Sequence, residues 1–101
     1  MTREKLTSRQ RRHLKGLAHG TKVDCQVGRD GLTEALLRSI DETLRARELV
    51  KVGLARGAGK KRKQEARELA AALDAELVQV VGFTALLFRR NPEQTRIVFP
   101  Q

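Results

Sequence analysis

A single cysteine, Cys25, stands in 101 residues. It excludes an intramolecular disulfide and, without companions at ligand spacing, a thiolate zinc site, so its ordinary role is that of a small buried hydrophobe. No apolar run approaches the ~18 residues that span a bilayer. The segment after Met1, TREKLTSRQRR, is basic but never turns apolar, so no signal peptide is expected and the chain should stay in the cytoplasm. Gly59-Lys60 is followed by Lys61, with Leu54 where a P-loop needs its first glycine, and Gly57-x-Gly59 has Arg62 where a dinucleotide fingerprint needs its third. His13 and His19 lack a cysteine or carboxylate at ligand spacing, and Ser8 and Ser39 lack any nucleophile motif. The expectation is a chain with no catalytic residues, no metal, no cofactor and no small-molecule substrate. Tryptophan and tyrosine are absent altogether, leaving Phe83, Phe88 and Phe99 as the only aromatic residues.

What the chain has in excess is positive charge: 21 Lys and Arg against 12 Asp and Glu, a net of +9 and a pI near 10.8. Residues 1–22 hold seven basic side chains and one acidic, and residues 56–75 hold six and three, whereas residues 23–55 are close to balanced. An excess gathered at one end and one loop points to a polyanionic partner, with nucleic acid first and an anionic membrane second. The hydrophobic share of 40% and charged share of 33% are those of a globular domain, and the length suits one domain over residues 1–101, with a core from about residue 6 to 100.

Periodicity predicts a compact α/β fold in the order α-β-α-β-α-β-β around a mixed four-stranded sheet. Thr7-x-x-Gln10 fits a capping box, and Leu14, Leu17 and Ala18 follow at helical spacing up to Gly20, placing both leucines in the core. Val23, Cys25 and Val27 alternate with polar residues as a short strand. Leu32, Leu36, Ile40 and Leu44, widened by Leu37, mark a second helix. Leu49–Ala55 reads as a strand with Val50, Val52 and Leu54 on one face, and Ala66, Leu69, Ala70 and Leu73 mark a third helix. Residues 77–81 and 84–88 read as a hairpin turning at Gly82-Phe83, with the type II′ geometry that glycine favours at the first central position. Ile97, Val98 and Phe99 are expected to add a short strand. The second and third helices would make the parallel crossovers.

Three groups of residues carry the candidate interface. On the first helix Ser8, Arg12, Lys15 and His19 share the face opposite Leu14, flanked by Arg9 and Arg11. The run Lys60, Lys61, Arg62 and Lys63 sets four cations at a helix start, against the helix dipole, an arrangement that a bound polyanion would compensate. Gly28-Arg29-Asp30-Gly31 forms a Gly-x-x-Gly turn ahead of a helix, where backbone can approach backbone and free N–H groups can meet a phosphate. A loop of this kind clamps nucleotides in KH domains, although a tight turn needing positive φ would show the same glycines. With so few aromatic residues, contact would be to phosphates and sugars rather than by stacking bases.

The stretches HLKGLAHGTKV, VGRDGLTEALLRSIDETLRARELVKV and LVQVVGFTALLFRRNPE together resemble the bacterial YhbY-like family, stand-alone CRM domains named for chloroplast RNA splicing and ribosome maturation. The resemblance runs from about Leu6 to Pro100. It implies a KH-like RNA-binding fold similar to the C-terminal domain of translation initiation factor three. It also implies an RNA-binding loop on Gly28, Arg29, Asp30 and Gly31, a basic first helix at Arg12 and Lys15, and association with precursors of the large ribosomal subunit. The sequence departs from the family pattern at Asp30, Phe83 and Phe88. The expected protein is therefore a monomeric, non-enzymatic RNA binder acting on ribosomal RNA. Its rivals are a DNA-binding architectural protein, a peripheral membrane binder and an enzyme without recognisable motifs.

Overall fold

The computed structural model describes residues 5–100; residues 1–4 and 101, the ends of the expected domain, lie outside that description. Helix α1 spans Ser8–Ala18 and opens with the capping box: the Thr7 hydroxyl accepts from the Gln10 N–H at 3.1 Å, and the Gln10 side chain accepts from the Thr7 N–H at 2.9 Å. Strand β1 is only Cys25–Gln26, followed by α2 (Glu34–Arg47), β2 (Leu49–Gly53), a 3-10 segment Arg56–Lys61, α3 (Arg62–Ala72), β3 (Glu76–Val81) and β4 (Thr84–Phe88). The sheet order is β1-β2-β4-β3, with β1 parallel to β2 and the other pairs antiparallel. β2 and β3 thus run the same way, and α2 and α3 are the two crossovers. The hairpin turns at Gly82, whose φ of 57° with no positive φ at Phe83 fits the expected turn.

Side-chain alternation divides the core between the two faces of the sheet. Val50, Val52 and Leu87 face α2 and α3, where they pack with Ile40, Leu44, Leu69 and Leu73. Leu86, Phe88 and Val78 face α1, where they pack with Leu14, Ala18 and Ile97. The result is three layers, with α1 alone on its face.

Three expectations are corrected. Leu17 is 46% exposed, because α1 rests on the sheet through the i, i+4 pair Leu14 and Ala18 and leaves Leu17 on its flank. Val23 is also exposed. Pairing with β2 starts only at Asp24, whose N–H donates to the Lys51 carbonyl and whose carboxylate accepts from the Lys51 N–H and from Arg47. Residues 97–99 form no strand, since their end of the chain is captured by a different acceptor, Glu48.

Glu48 is fully buried and sits at the C-cap of α2 with φ 66°, a left-handed position costing a non-glycine residue roughly 1–2 kcal/mol. Its carboxylate accepts from the N–H groups of Asn91 (2.6 Å), Arg96 (2.6 Å) and Ile97 (2.8 Å) and from the Arg90 guanidinium (3.0 Å). Charge-assisted bonds of this kind contribute about 1.5–3 kcal/mol each, enough to offset the backbone strain. Burial pushes the carboxyl pKa up, but the backbone donors of Asn91, Ile97 and Arg96, together with Arg90, outweigh it and hold the group below its ordinary value.

A lowered folded-state pKa stabilises the fold above the ordinary carboxylate range near pH ~4.3, and that contribution is lost as pH falls through the lowered value. Glu48→Gln should therefore cost about 3 kcal/mol in urea unfolding at pH 7 and flatten the fall in stability between pH 5 and 2, since the amide presents its own donors to backbone N–H groups. Equal urea midpoints for parent and variant at pH 7 would refute this role for the carboxylate.

Candidate functional site

Because β1 and β2 are parallel and β4 opposes β2, the chain leaving β1, the chain leaving β2 and the β3–β4 turn all lie at one end of the sheet. Gly53, the last residue of β2, pairs with Gln26 on one side and Thr84 on the other. The Gln26 side chain lies across Gly53, where a Cβ would collide with it, and its amide donates to the carbonyls of Val27 and Leu54, both at 3.2 Å. That clamp sets the path into Gly28–Gly31.

The Gly31 N–H donates to the Gly28 carbonyl at 3.1 Å, closing a four-residue turn, and the Thr33 N–H returns to the Gly31 carbonyl at 3.0 Å. Thr33 caps α2, its hydroxyl accepting from the Leu36 N–H, and Glu34 puts an acid in the first turn. The two glycines are not equivalent. Gly31 has φ 73° and is required by the turn, whereas Gly28 lies outside the left-handed region. A Cβ at either position would meet nothing within 4 Å. The turn therefore accounts for Gly31 and leaves Gly28 without an internal reason. Arg29 and Asp30 at its tip are both exposed.

The basic run is split by a kink at Gly59 (φ 53°, ψ −120°), so Lys60 and Lys61 close the 3-10 segment while Arg62 and Lys63 open α3. Lys60, Lys61 and Lys63 are exposed. Arg62 is turned inward: it donates to the Gly59 carbonyl at 3.1 Å and its guanidinium lies 5.5 Å from the Phe83 ring centre, with Arg56 at 5.7 Å from the same ring. Phe83, a departure from the family pattern, thus anchors two arginines and packs beside Leu54, Ala66 and Ala85.

On α1, Arg9, Arg12, Lys15 and His19 are exposed along one face, but Arg11 is committed elsewhere. Its guanidinium donates to the Leu77 and Val78 carbonyls at 2.9 and 3.0 Å and stands 4.0 Å from the Glu76 carboxylate. The spacing of α1 placed Arg11 on a flank, and only the sheet's position shows that this flank faces β3. Gly16 sits among Arg12, Lys15 and His19 on the open face, and a Cβ there would also meet nothing within 4 Å. A glycine inside a helix costs about 1 kcal/mol relative to alanine, and no contact within the fold accounts for it.

The structure therefore brings Gly28–Gly31 and Lys60–Lys63 to one end of the sheet and puts Lys15 and His19 on the far face, with Arg9 and Arg12 further along α1. Sequence reasoning missed Lys51, which lies on that far face and whose ammonium donates to the Thr21 and Ala18 carbonyls at 2.8 and 3.3 Å. Its polar outward position inside the Val50, Val52, Leu54 alternation was the available signal. Among the described residues no group of three or more His, Cys, Asp or Glu is placed to hold a metal, and no helix is long and apolar enough to cross a membrane.

A family model described as CRS1 / YhbY (CRM) domain matches residues 6–89. The chain is 33% identical over 95 residues to the Probable RNA-binding protein YqeI of Bacillus subtilis, covering 94% of this chain and 99% of that one. It is 35% identical over 91 residues to the Probable RNA-binding protein PA4753 of Pseudomonas aeruginosa, covering 90% and 88%. The solution structure of the hypothetical protein SAV1595 from Staphylococcus aureus superposes with a TM-score of 0.79 at 36% identity, over 95% of this chain and all of that one.

The contrast between neighbouring arginines is measurable in thermal melts. Arg11→Gln should lower Tm by several degrees, because the carbonyls of Leu77 and Val78 lose a charged donor worth about 1–2 kcal/mol. Arg12→Glu with Lys15→Glu should leave Tm nearly unchanged, as exposed substitutions cost under about 0.5 kcal/mol.

Proposed function

The chain belongs to the CRS1 / YhbY (CRM) domain family, and from that membership and the geometry above we propose that it is a monomeric, non-enzymatic cytoplasmic protein that binds structured ribosomal RNA during large-subunit assembly. The observation that carries the RNA reading is Gly28. A glycine that neither backbone angle nor internal packing demands, at the tip end of an exposed loop beside Arg29, leaves room for something outside the chain to come within van der Waals distance of the backbone. Gly16, set in the cationic face of α1, has the same property. The relatives named for RNA binding support the choice of ligand. The ribosomal part rests on the family resemblance.

In this reading the RNA backbone passes over Gly28 and Gly31, with Arg29 and the exposed Lys60, Lys61 and Lys63 neutralising phosphates at the same end of the sheet. Arg12, Lys15 and His19 extend the interface along α1. Asp30 stays near the α2 N-terminus, where the helix dipole favours an acid. Arg11 and Arg62, although basic, serve the fold and contribute only at long range.

Alanine separates the turn from the clamp. Gly28→Ala should fold with unchanged or slightly raised stability yet bind structured RNA at least tenfold more weakly, a loss of about 1.4 kcal/mol. Gly31→Ala should instead cost roughly 1–2 kcal/mol of stability through its left-handed backbone. Filter binding with ribosomal RNA fragments, competed by duplex DNA, measures the first and separates RNA from DNA as the ligand; a Gly28→Ala variant with full affinity would remove the clamp.

Replacing Lys60, Lys61 and Lys63 with Gln should lower the slope of log affinity against log salt by roughly 0.7–0.9 for each phosphate that is no longer neutralised. An unchanged slope would place this run away from the RNA.

A further inference from the structure

Helix α1 covers only part of its face of the sheet. Beyond it, towards the end that carries the Gly28–Gly31 loop, a hollow of ≈ 290 Å³ opens between α1 and the strands. Lys15 and His19 form one wall, Lys51 stands on β2, and Gln79 and Thr84 with the apolar Leu86 make the floor. Among the described residues no acidic side chain lines it. Val81, 62% exposed, borders it as one of the few large apolar side chains left at the surface.

We infer that this hollow seats one unpaired nucleotide of the bound RNA strand, with its base on the Gln79 and Thr84 floor and its phosphate at Lys15 and His19. This rests on the RNA-binding reading above. The hollow's size is at the lower limit of ligand pockets, which run from about 300 Å³, so it admits a single nucleotide and no paired helix. Its charge is wholly cationic. Lys51 spends two ammonium protons on the α1 carboxyl end and keeps a third for an acceptor in the hollow. The Gln79 amide and the Thr84 hydroxyl each offer a donor and an acceptor, which is what a base edge requires, while Leu86 and Val81 give apolar surface to its ring.

Continuity with the loop follows from the strand register. Thr84 pairs with Gly53 and Gly53 with Gln26, so the floor is two strand spacings, about 10 Å, from the strand that runs into Gly28. A strand of RNA crossing the loop reaches the hollow within a short step, and the cations of α1 lie beyond it. The hollow thus joins two cationic surfaces that lie on different faces of the molecule. It also gives an unpaired base a seat that does not depend on aromatic stacking.

The test compares two RNAs, one fully paired and one carrying a single bulged 2-aminopurine, against the parent and a Gln79→Leu, Thr84→Val variant that keeps the floor's shape. The parent should bind the bulged RNA at least tenfold more tightly than the paired one and change the 2-aminopurine emission. The variant should lose that preference and the emission change while binding paired RNA as the parent does, with an unaltered salt slope because no cation has been removed. The parent's emission is read without any variant, so it stands even if the variant folds poorly. A parent that binds both RNAs equally with silent 2-aminopurine, or a variant that keeps the parent's preference, overturns the hollow and leaves the RNA reading intact. A parent that binds neither RNA overturns both.

Discussion

The Glu48 carboxylate has no solvent with which to share its charge, so its oxygens must be met from within the chain, and the groups that meet them come from residues 90, 91, 96 and 97. One residue thereby closes α2 with its backbone just before β2 and, with its side chain, draws the C-terminal segment back across the molecule. Ile97 and the half-buried Phe99 follow, packing on Phe88 and closing the core beneath α1. The position of α1 above the sheet, and with it the wall of the hollow, depends on that segment. Arg90 completes the arrangement, its guanidinium lying beside both the Phe88 and Phe99 rings at 5.4 and 5.3 Å from their centres.

The net charge of +9 overstates what a ligand can meet. Arg11 serves β3, Arg47 is held by Asp24 at 2.6 Å, Arg62 stacks on Phe83, and Arg89 reaches Asp41 and the Leu73 carbonyl. Of the cations left facing outward, Arg29, Lys60, Lys61 and Lys63 lie where the two parallel strands end and Arg9, Arg12 and Lys15 along one side of α1, while Arg38, Arg67 and Arg96 face outward elsewhere. A chain read by composition alone is uniformly basic; folded, part of that charge is spent inside the scaffold at Arg11, Arg62 and Arg89.

Much of the fold was legible because local and global signals agree. The Thr7–Gln10 box, the Leu36, Ile40 and Leu44 rows and the Gly82 turn all formed where their patterns placed them. The misreadings share one cause, a neighbour that no local window contains. Leu17 keeps helical spacing but borders an open hollow beside Leu49 and Ile97 instead of entering the core, and residues 97–99 look like a strand until Glu48, far back in the chain, takes the Ile97 N–H. Glu48 gave little warning, since a glutamate at a helix end reads as surface. The same limit applies to the site: the sequence shows two glycines in Gly28–Gly31, but only the backbone angles show that the turn needs just one of them.

The sheet's two outer strands have a consequence for how the protein behaves in a crowd. β1 pairs over two residues only, and β3 carries a bulge between Leu77 and Gln79, with Arg11 occupying the carbonyls of Leu77 and Val78. Neither margin offers a long flat row of hydrogen-bonding groups to another chain. A polyanion gathers cationic proteins to high local concentration, which is where exposed strand margins would zip neighbouring copies together into aggregates. With both margins blunted, copies of this chain crowded together meet no long strand margin on which to pair.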